Sequence, residues 1–337
     1  MSDYDRLVSP LVDTLRTSGH GDPSVTVTGL ASAGATRTTL LVDVERDGQV
    51  VPAVAQIGTP SEFRRSATEE AALLQVAADG GVPVPPVLGA SNRFGDAADG
   101  VLITEHVAGL SIPRQVLRSL ADDTAGDGLA EQCGAALARL HQVPVEALPP
   151  GFDRVDPKDV HRDYLRKLHD QLSELSTYQP ATRWGINWLG RNLPLHPPAA
   201  TLVHGDFRNG NLLVDDGRLT AVLDWELGHI GDPMEDLAWL CVRMWRFGND
   251  DRHCGGFGSV EALRRGYESA GGRWRQDGFR WWLGARSAWW AIGLARQAEA
   301  AGDGTSGSIV HAASGRRVAE LQYDLLQLIR SQEGSSG

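Results

Sequence analysis

Three residues carry the chemistry this sequence can do: Asp206, Asn211 and Asp224. They lie in two short stretches, Val203-His204-Gly205-Asp206-Phe207-Arg208-Asn209-Gly210-Asn211-Leu212-Leu213 and Ala221-Val222-Leu223-Asp224-Trp225. An amide oxygen and a carboxylate are hard donors. They suit Mg²⁺, which keeps several waters and takes only one or two protein oxygens beside the phosphates of a bound nucleotide. The remaining carboxylate, Asp206, is then available to orient a substrate hydroxyl and accept its proton, a role worth typically about 10²- to 10⁴-fold in rate. Together these parts serve phosphoryl transfer. Its loose transition state spreads charge over the phosphoryl oxygens, so catalysis is mostly positioning and charge neutralisation.

The elements that must position them follow from the flanking residues. Leu212-Leu213-Val214 and Thr220-Ala221-Val222-Leu223, separated around Asp215-Asp216-Gly217, predict a tight hairpin that brings Asn211 close to Asp224. Asp, Asn and Gly are also the commonest turn formers, but a hairpin alone requires neither Asn211 nor Asp224.

These runs, with Val222-Leu223-Asp224-Trp225-Glu226 and Gly228-His229-Ile230-Gly231-Asp232-Pro233, resemble the aminoglycoside phosphotransferase family of kinase-like enzymes. The likeness is greatest to the branch similar to the kinase-like domain joined to some acyl-CoA dehydrogenases. The resemblance implies that Asp206 is the catalytic base and that Asn211 and Asp224 hold the metal. It implies ATP and Mg²⁺ as nucleotide and metal. It also implies an α+β, bilobal protein-kinase-like fold: a small antiparallel-sheet lobe over residues 1–107 and a larger, mainly helical lobe over 108–337.

Upstream, Val25 and Val27, Leu40 to Val44, and Val50 to Ala55 predict three antiparallel strands, with Arg46-Asp47-Gly48 as a turn. Between the first two lies a small-residue run, Ala31 to Arg37, through which backbone N–H groups can approach phosphates. Ser32, Gly34 and Arg37 are its nucleotide-binding candidates. Ser61 to Asp79 predicts a helix closed by Gly80-Gly81. In the family a Glu stands on this helix, and Glu70 fits the position. Val82 to Pro86 and Val101 to His106 predict two further strands. The second ends where a kinase-like fold joins its lobes, which makes the backbone near Glu105 and Val107 the candidate adenine edge. One position departs from the family pattern. The third strand should carry a Lys or Arg toward the phosphates, yet the aligned residue is Gln56, and the chain's two lysines are Lys158 and Lys167. Arg37 is the nearest replacement cation by sequence.

Beyond Gly109 the periodicity becomes helical, over Leu129–His141, Val160–Leu175 and Trp184–Leu193. Val160-His161-Arg162-Asp163 imitates a kinase catalytic motif, but Leu168 stands where a metal-binding Asn would be needed, so Asp163 reads as a surface residue. After Asp232-Pro233 an apolar helix runs from Met234 to Trp245, and Val318 to Ile329 predicts a last amphipathic helix. The Cys241–Ala300 region is rich in Arg and Trp. Two readings stand side by side: tryptophans packing a helical core under arginines, or an aromatic, cationic acceptor pocket. Under the second, Glu226, Trp245, Arg246, Phe257 and Trp282 are the acceptor contacts.

With 337 residues, 42% of them hydrophobic, the chain can build a bilobal core. A net charge of −11 argues against a nucleic-acid partner. No apolar run approaches a membrane span and the start lacks signal-peptide features, so a cytoplasmic location and no membrane partner are expected. Cys133, Cys241 and Cys254 are scattered and read as reduced. The partner expected is a small-molecule hydroxyl acceptor, neutral or anionic. Alternatives are an aminoglycoside O-phosphotransferase and a catalytically silent nucleotide-binding protein. A protein kinase is disfavoured because no long phosphorylatable loop follows Asp224.

Overall fold

The computed structural model describes residues 5–33, 37–58, 65–95 and 100–333. Strands β1 (Ser24–Ala33), β2 (Thr38–Arg46) and β3 (Gln49–Gly58) follow helix α1 (Asp5–Thr17). Helix α2 (Ala67–Asp79) and strands β4 (Val87–Ser91) and β5 (Gly100–Glu105) complete an antiparallel sheet of order β1-β2-β3-β5-β4. Period-two alternation decides its faces. Leu40, Val42, Val44, Ala53, Ala55 and Ile57 pack with Leu11 and Leu15 of α1 in one core. On the opposite face Leu102 joins Leu73 and Leu74 of α2 in a second core that continues into the larger lobe.

Helix α1 is not among the elements read from the sequence, although Leu7, Leu11 and Leu15 recur every fourth residue on its buried side. The helix expected over Ser61–Asp79 starts at Ala67. There Ser66 accepts from the Glu69 N–H while the Glu69 carboxylate takes the Ser66 N–H, a capping box that fixes the start; residues 61–64 lie outside the described residues. The strand expected over Val82–Pro86 is displaced to Val87–Ser91. Pro83, Pro85 and Pro86 have no N–H to give a ladder. Their carbonyls still serve, since Glu105 N–H donates to Pro86 (2.8 Å) and Val222 N–H to Pro83 (2.8 Å).

The larger lobe contains α3 (Pro113–Ser119), α4 (Asp123–Leu140), α5 (Val160–Ser173) and α6 (Pro180–Arg191) before the catalytic region. That region is built on short strands β6 (Thr201–Val203), β7 (Leu212–Asp215), β8 (Arg218–Val222) and β9 (His229–Gly231). Then come α7 (Met234–Cys241), α8 (Val260–Ser269), α9 (Gln276–Gly302) and α10 (Ile309–Glu333). Helix α7 is shorter than its apolar pattern suggests: Val242 turns to an extended ψ of 133°, and a 3₁₀ turn carries Arg243–Arg246. Helix α10 is longer, starting nine residues before Val318. The hairpin forms as expected, with Asp215 opposite Arg218 and the turn made by Asp216 (φ 47°) and Gly217 (φ 68°). The lobe connection is fastened to it: Leu110 and Val214 exchange both backbone hydrogen bonds (2.8 and 3.0 Å), and Thr220 Oγ1 donates to Ala108 (3.0 Å).

Candidate active site

The loop after β6 is held by backbone contacts that only certain residues permit. Gly205 has φ +77°, and a Cβ there would lie 2.5 Å from the Leu227 carbonyl oxygen, so the Gly of His-Gly-Asp is required by space and by conformation. Buried Asp236 accepts the N–H groups of His204 (2.7 Å) and Gly205 (2.8 Å) and a third bond from His141 Nε2 (3.2 Å). These donors hold its carboxyl below the usual range although burial opposes ionisation. His204 lies between the two halves of the site. Its Nδ1 accepts from the Asp206 N–H (3.1 Å) and its Nε2 donates to the carbonyl of Leu223 (3.0 Å), the residue before Asp224. Burial keeps it neutral by lowering its pKa.

Four hydrogen bonds fix the Asp206 carboxylate. Trp239 Nε1 donates to Oδ1 (2.7 Å), Arg208 Nε reaches both oxygens (3.1 and 3.2 Å), and Asn211 Nδ2 donates to Oδ2 (2.7 Å). Asn211 also donates to the Asp206 backbone carbonyl (3.0 Å), which commits its nitrogen and leaves its oxygen for another partner. The backbone of Asn211 accepts from Leu223 N–H (2.8 Å), so the hairpin brings the amide beside the Asp224 segment.

Asp224 has φ +65°, a left-handed conformation uncommon for a non-glycine residue and of the kind found stored at functional sites. The residue is exposed. The surrounding protein, then Asp206 and Glu226, push its pKa up to about 7. Uncompensated negative charge beside an amide oxygen fits a divalent cation, whose own charge would reverse that shift. Among the described residues no group of three or more His, Cys, Asp and Glu side chains could hold a metal ion.

On the sheet side, Arg37 Nη1 lies 3.0 Å from Glu70 Oε2, and Nη2 lies 3.6 Å from Glu226 Oε2 in the other lobe. Burial raises the Glu70 pKa, and Arg37 opposes that rise. Ser32, Thr39 and Gln56 form one row across β1, β2 and β3, with Leu102 next to Gln56. Gly34 lies outside the described residues. At the connection, Glu105 N–H and His106 N–H are used within the sheet region, by Pro86 and Pro52, whereas Val107 N–H makes no hydrogen bond among the described residues.

The acceptor set separates. Glu226 stands with Arg37 and Asp224 rather than with the aromatic residues. Trp245 lies under Arg208, whose guanidinium carbon is 4.6 Å from the ring centroid. Three assignments are corrected. Arg246 turns away and donates to the carbonyls of Cys241 (3.0 Å) and Asp250 (3.1 Å). Phe257 is buried in the main core. Trp282 is buried with its Nε1 donating to Asp232 Oδ2 (2.8 Å). Most tryptophans of this region therefore pack a core.

Two residues of the site escape the sequence reading. Trp239 lies one helical turn after Asp236, which puts both on the α7 face toward the loop, and that spacing is the available signal. Arg286 is buried in α9, between the rings of Trp239 and Trp289 (4.2 Å from each), pairing with Glu235 (3.0 Å) and donating to the Gly205 carbonyl (2.6 Å). Nothing local in the sequence separates Arg286 from its surface neighbours.

A small antiparallel sheet over a helical lobe, with Asp206 and Asn211 on the loop after β6 and Asp224 just past β8, is a kinase-like architecture. The model of the phosphotransferase enzyme family (APH) matches residues 27–287, and the chain belongs to that family. It is similar to mouse acyl-CoA dehydrogenase family member 10, 28% identical over 202 residues that cover 58% of this chain and 18% of that protein. The chain thus spans about a fifth of that relative's length. A candidate aminoglycoside phosphotransferase from Ralstonia eutropha shares the fold with TM-score 0.76 at 22% identity, over 96% of this chain and 98% of that one. So does a thermostable mutant of aminoglycoside phosphotransferase APH(4)-Ia in complex with AMP-PNP and hygromycin B, with TM-score 0.63 at 18% identity over 92% and 96% of the two chains. No helix among the described residues is long and apolar enough to cross a membrane.

Proposed function

We propose that this chain transfers the γ-phosphate of ATP, with Mg²⁺, to the hydroxyl of a small neutral or anionic molecule, a hydroxylated acid or its CoA thioester. The observation that carries the reading is the bonding of Asp206, whose carboxylate is fixed by Trp239, Arg208 and Asn211 while Asp224 collects excess negative charge nearby. A bound AMP-PNP in a structural relative supports a nucleotide in the cleft.

Asn211 and Asp224 would hold the metal, which would supply charge neutralisation on the phosphates when bound. Asp206 orients the acceptor hydroxyl and takes its proton as the new oxygen–phosphorus bond forms and the bond to the leaving ADP oxygen breaks. The three fixed donors, Trp239, Arg208 and Asn211, keep Asp206 in one rotamer, so little reorganisation accompanies attack. Glu105 and Val107 offer backbone groups to adenine. Ser32 and Gln56 lie along the phosphate side, and Arg37, with Glu70, supplies the missing cation. Arg208 over Trp245 puts a cation beside the base, which disfavours an acceptor carrying several ammonium groups. The thioester form rests on the likeness to the acyl-CoA dehydrogenase relative.

Incubating the protein with a metabolite extract and searching for species that gain phosphate tests this reading. It requires a small hydroxylated product that appears only with enzyme, ATP and Mg²⁺ together. Bound Mg·ATP without any product would favour a silent nucleotide-binding protein. Efficient phosphorylation of kanamycin-type compounds would favour an aminoglycoside enzyme.

A further inference from the structure

The turn that follows Asp224 is gripped from the small lobe. Gly228 N–H donates to the Trp225 carbonyl (3.1 Å), which closes a turn directly after Asp224 and before β9. Arg65, half-buried and one residue ahead of the α2 N-cap Ser66, donates through Nη2 to the Gly228 carbonyl. Its guanidinium carbon lies 3.9 Å from the centre of the Phe152 ring, so one small-lobe side chain reaches two segments of the larger lobe that are distant in sequence. Leu73 of α2 closes on the same turn: a Cβ on Gly228 would lie 2.8 Å from Leu73 Cδ2. On its other side the turn meets the catalytic loop, where the Leu227 carbonyl oxygen is the atom that a Cβ on Gly205 would strike. The turn is thus clamped between α2 and the residue before Asp206.

A turn has no ladder of its own, so the groups that reach its backbone set its place. Arginine suits this task. Its donors are charged, which strengthens the bond to a carbonyl, and its planar face packs on an aromatic ring at the same time. Arg37 also reaches the turn, but through the Glu226 side chain at 3.6 Å, which leaves the backbone contact to Arg65. We infer that Arg65 is a positioning residue: it latches the Trp225–Gly228 turn to α2 and thereby fixes where Asp224 stands relative to the small lobe. The consequence for metal capture rests on the function proposed above; the latch itself does not.

Hydrogen exchange of the full chain, read peptide by peptide by mass spectrometry, tests the latch without nucleotide, metal or turnover. Arg65→Met keeps the side-chain stem and removes the donors. It should raise exchange across residues 225–231 about tenfold or more and leave α9 unchanged, while Arg65→Lys stays within about threefold of wild type. An unchanged 225–231 segment in Arg65→Met, or a rise shared equally by α9, would overturn the inference. Calorimetry with saturating AMP-PNP then reads the position of Asp224. The Mg²⁺ concentration for half-maximal binding should rise about tenfold in Arg65→Met and less than about threefold in Arg65→Lys, as when a residue supporting a metal ligand is removed. A midpoint equal to wild type in Arg65→Met would show that the turn does not set the Asp224 carboxylate, and the positioning role would fall. A wild type that binds no Mg·AMP-PNP, with the exchange result as expected, would refute the phosphotransferase reading and leave the latch standing.

Discussion

Arg37 pairs with Glu70 at 3.0 Å, and it does so from the start of β2, while the third strand presents the neutral Gln56. In the proposed function the cation that kinase-like sites draw from the third strand would be supplied by Arg37, with Glu70 of α2 as its acidic partner. Charge-assisted hydrogen bonds contribute about 1.5–3 kcal/mol against roughly 0.5–1.5 for neutral ones. Arg37→Ala should therefore raise the KM for ATP about tenfold or more, and Gln56→Ala should change it less than about twofold. Steady-state kinetics decide the matter, and a normal KM in Arg37→Ala would remove this residue from the phosphate site.

Trp239→Phe keeps an aromatic ring beside Arg286 but deletes the 2.7 Å indole bond to the Asp206 carboxylate. A base freed to sample other rotamers should lose roughly tenfold in kcat with the KM for ATP unchanged. An equal loss in both parameters would indicate a general packing defect instead.

The Asp224 pKa, raised from 3.8 to about 7, gives a pH dependence of known sign. A raised acid binds its proton more tightly in the folded state, so the contribution of Asp224 to the stability of the metal-free protein is fully present below pH 3.8 and is lost as pH rises through about 7. Metal needs the ionised form, so Mg·nucleotide affinity should be about tenfold weaker at pH 6 than at pH 8 and level off above about 7.5. Asp224→Asn, without metal, should unfold at a higher temperature than wild type at pH 8, and the two should converge near pH 4. Identical wild-type and variant profiles across that range would contradict the electrostatic picture.

Arg286→Met should destabilise the fold by about 3–5 kcal/mol, because it leaves Glu235 buried with His229 as its remaining ion-pair partner among the described residues. Urea unfolding measures this, and a change below about 1 kcal/mol would show that Glu235 escapes to solvent or protonates at little cost.

The legible parts of this molecule are those whose chemistry and local geometry coincide. Asp206, Asn211 and the Asp216-Gly217 turn lie close along the chain, so the hairpin that brings Asn211 beside the Asp224 segment is legible in the local sequence. The acceptor side is less legible because Arg and Trp in α9 repeat too densely for spacing to rank them. The long-range fold alone decides that Arg286 lies between two indoles and that Trp282 supports Asp232. Three prolines hid the true position of β4, and the pull of Glu226 toward Arg37 is visible only once both lobes are in place.

The division of labour between the two acids is tested most directly by titrating Mg·AMP-PNP calorimetrically into wild type, Asp206→Ala and Asp224→Ala. In the proposed mechanism Asp206 faces the acceptor, so Asp206→Ala should bind nucleotide within about twofold of wild type while its turnover falls by at least about two orders of magnitude. Asp224→Ala should show no metal-dependent binding. An Asp224→Ala isotherm that matches wild type would contradict the account.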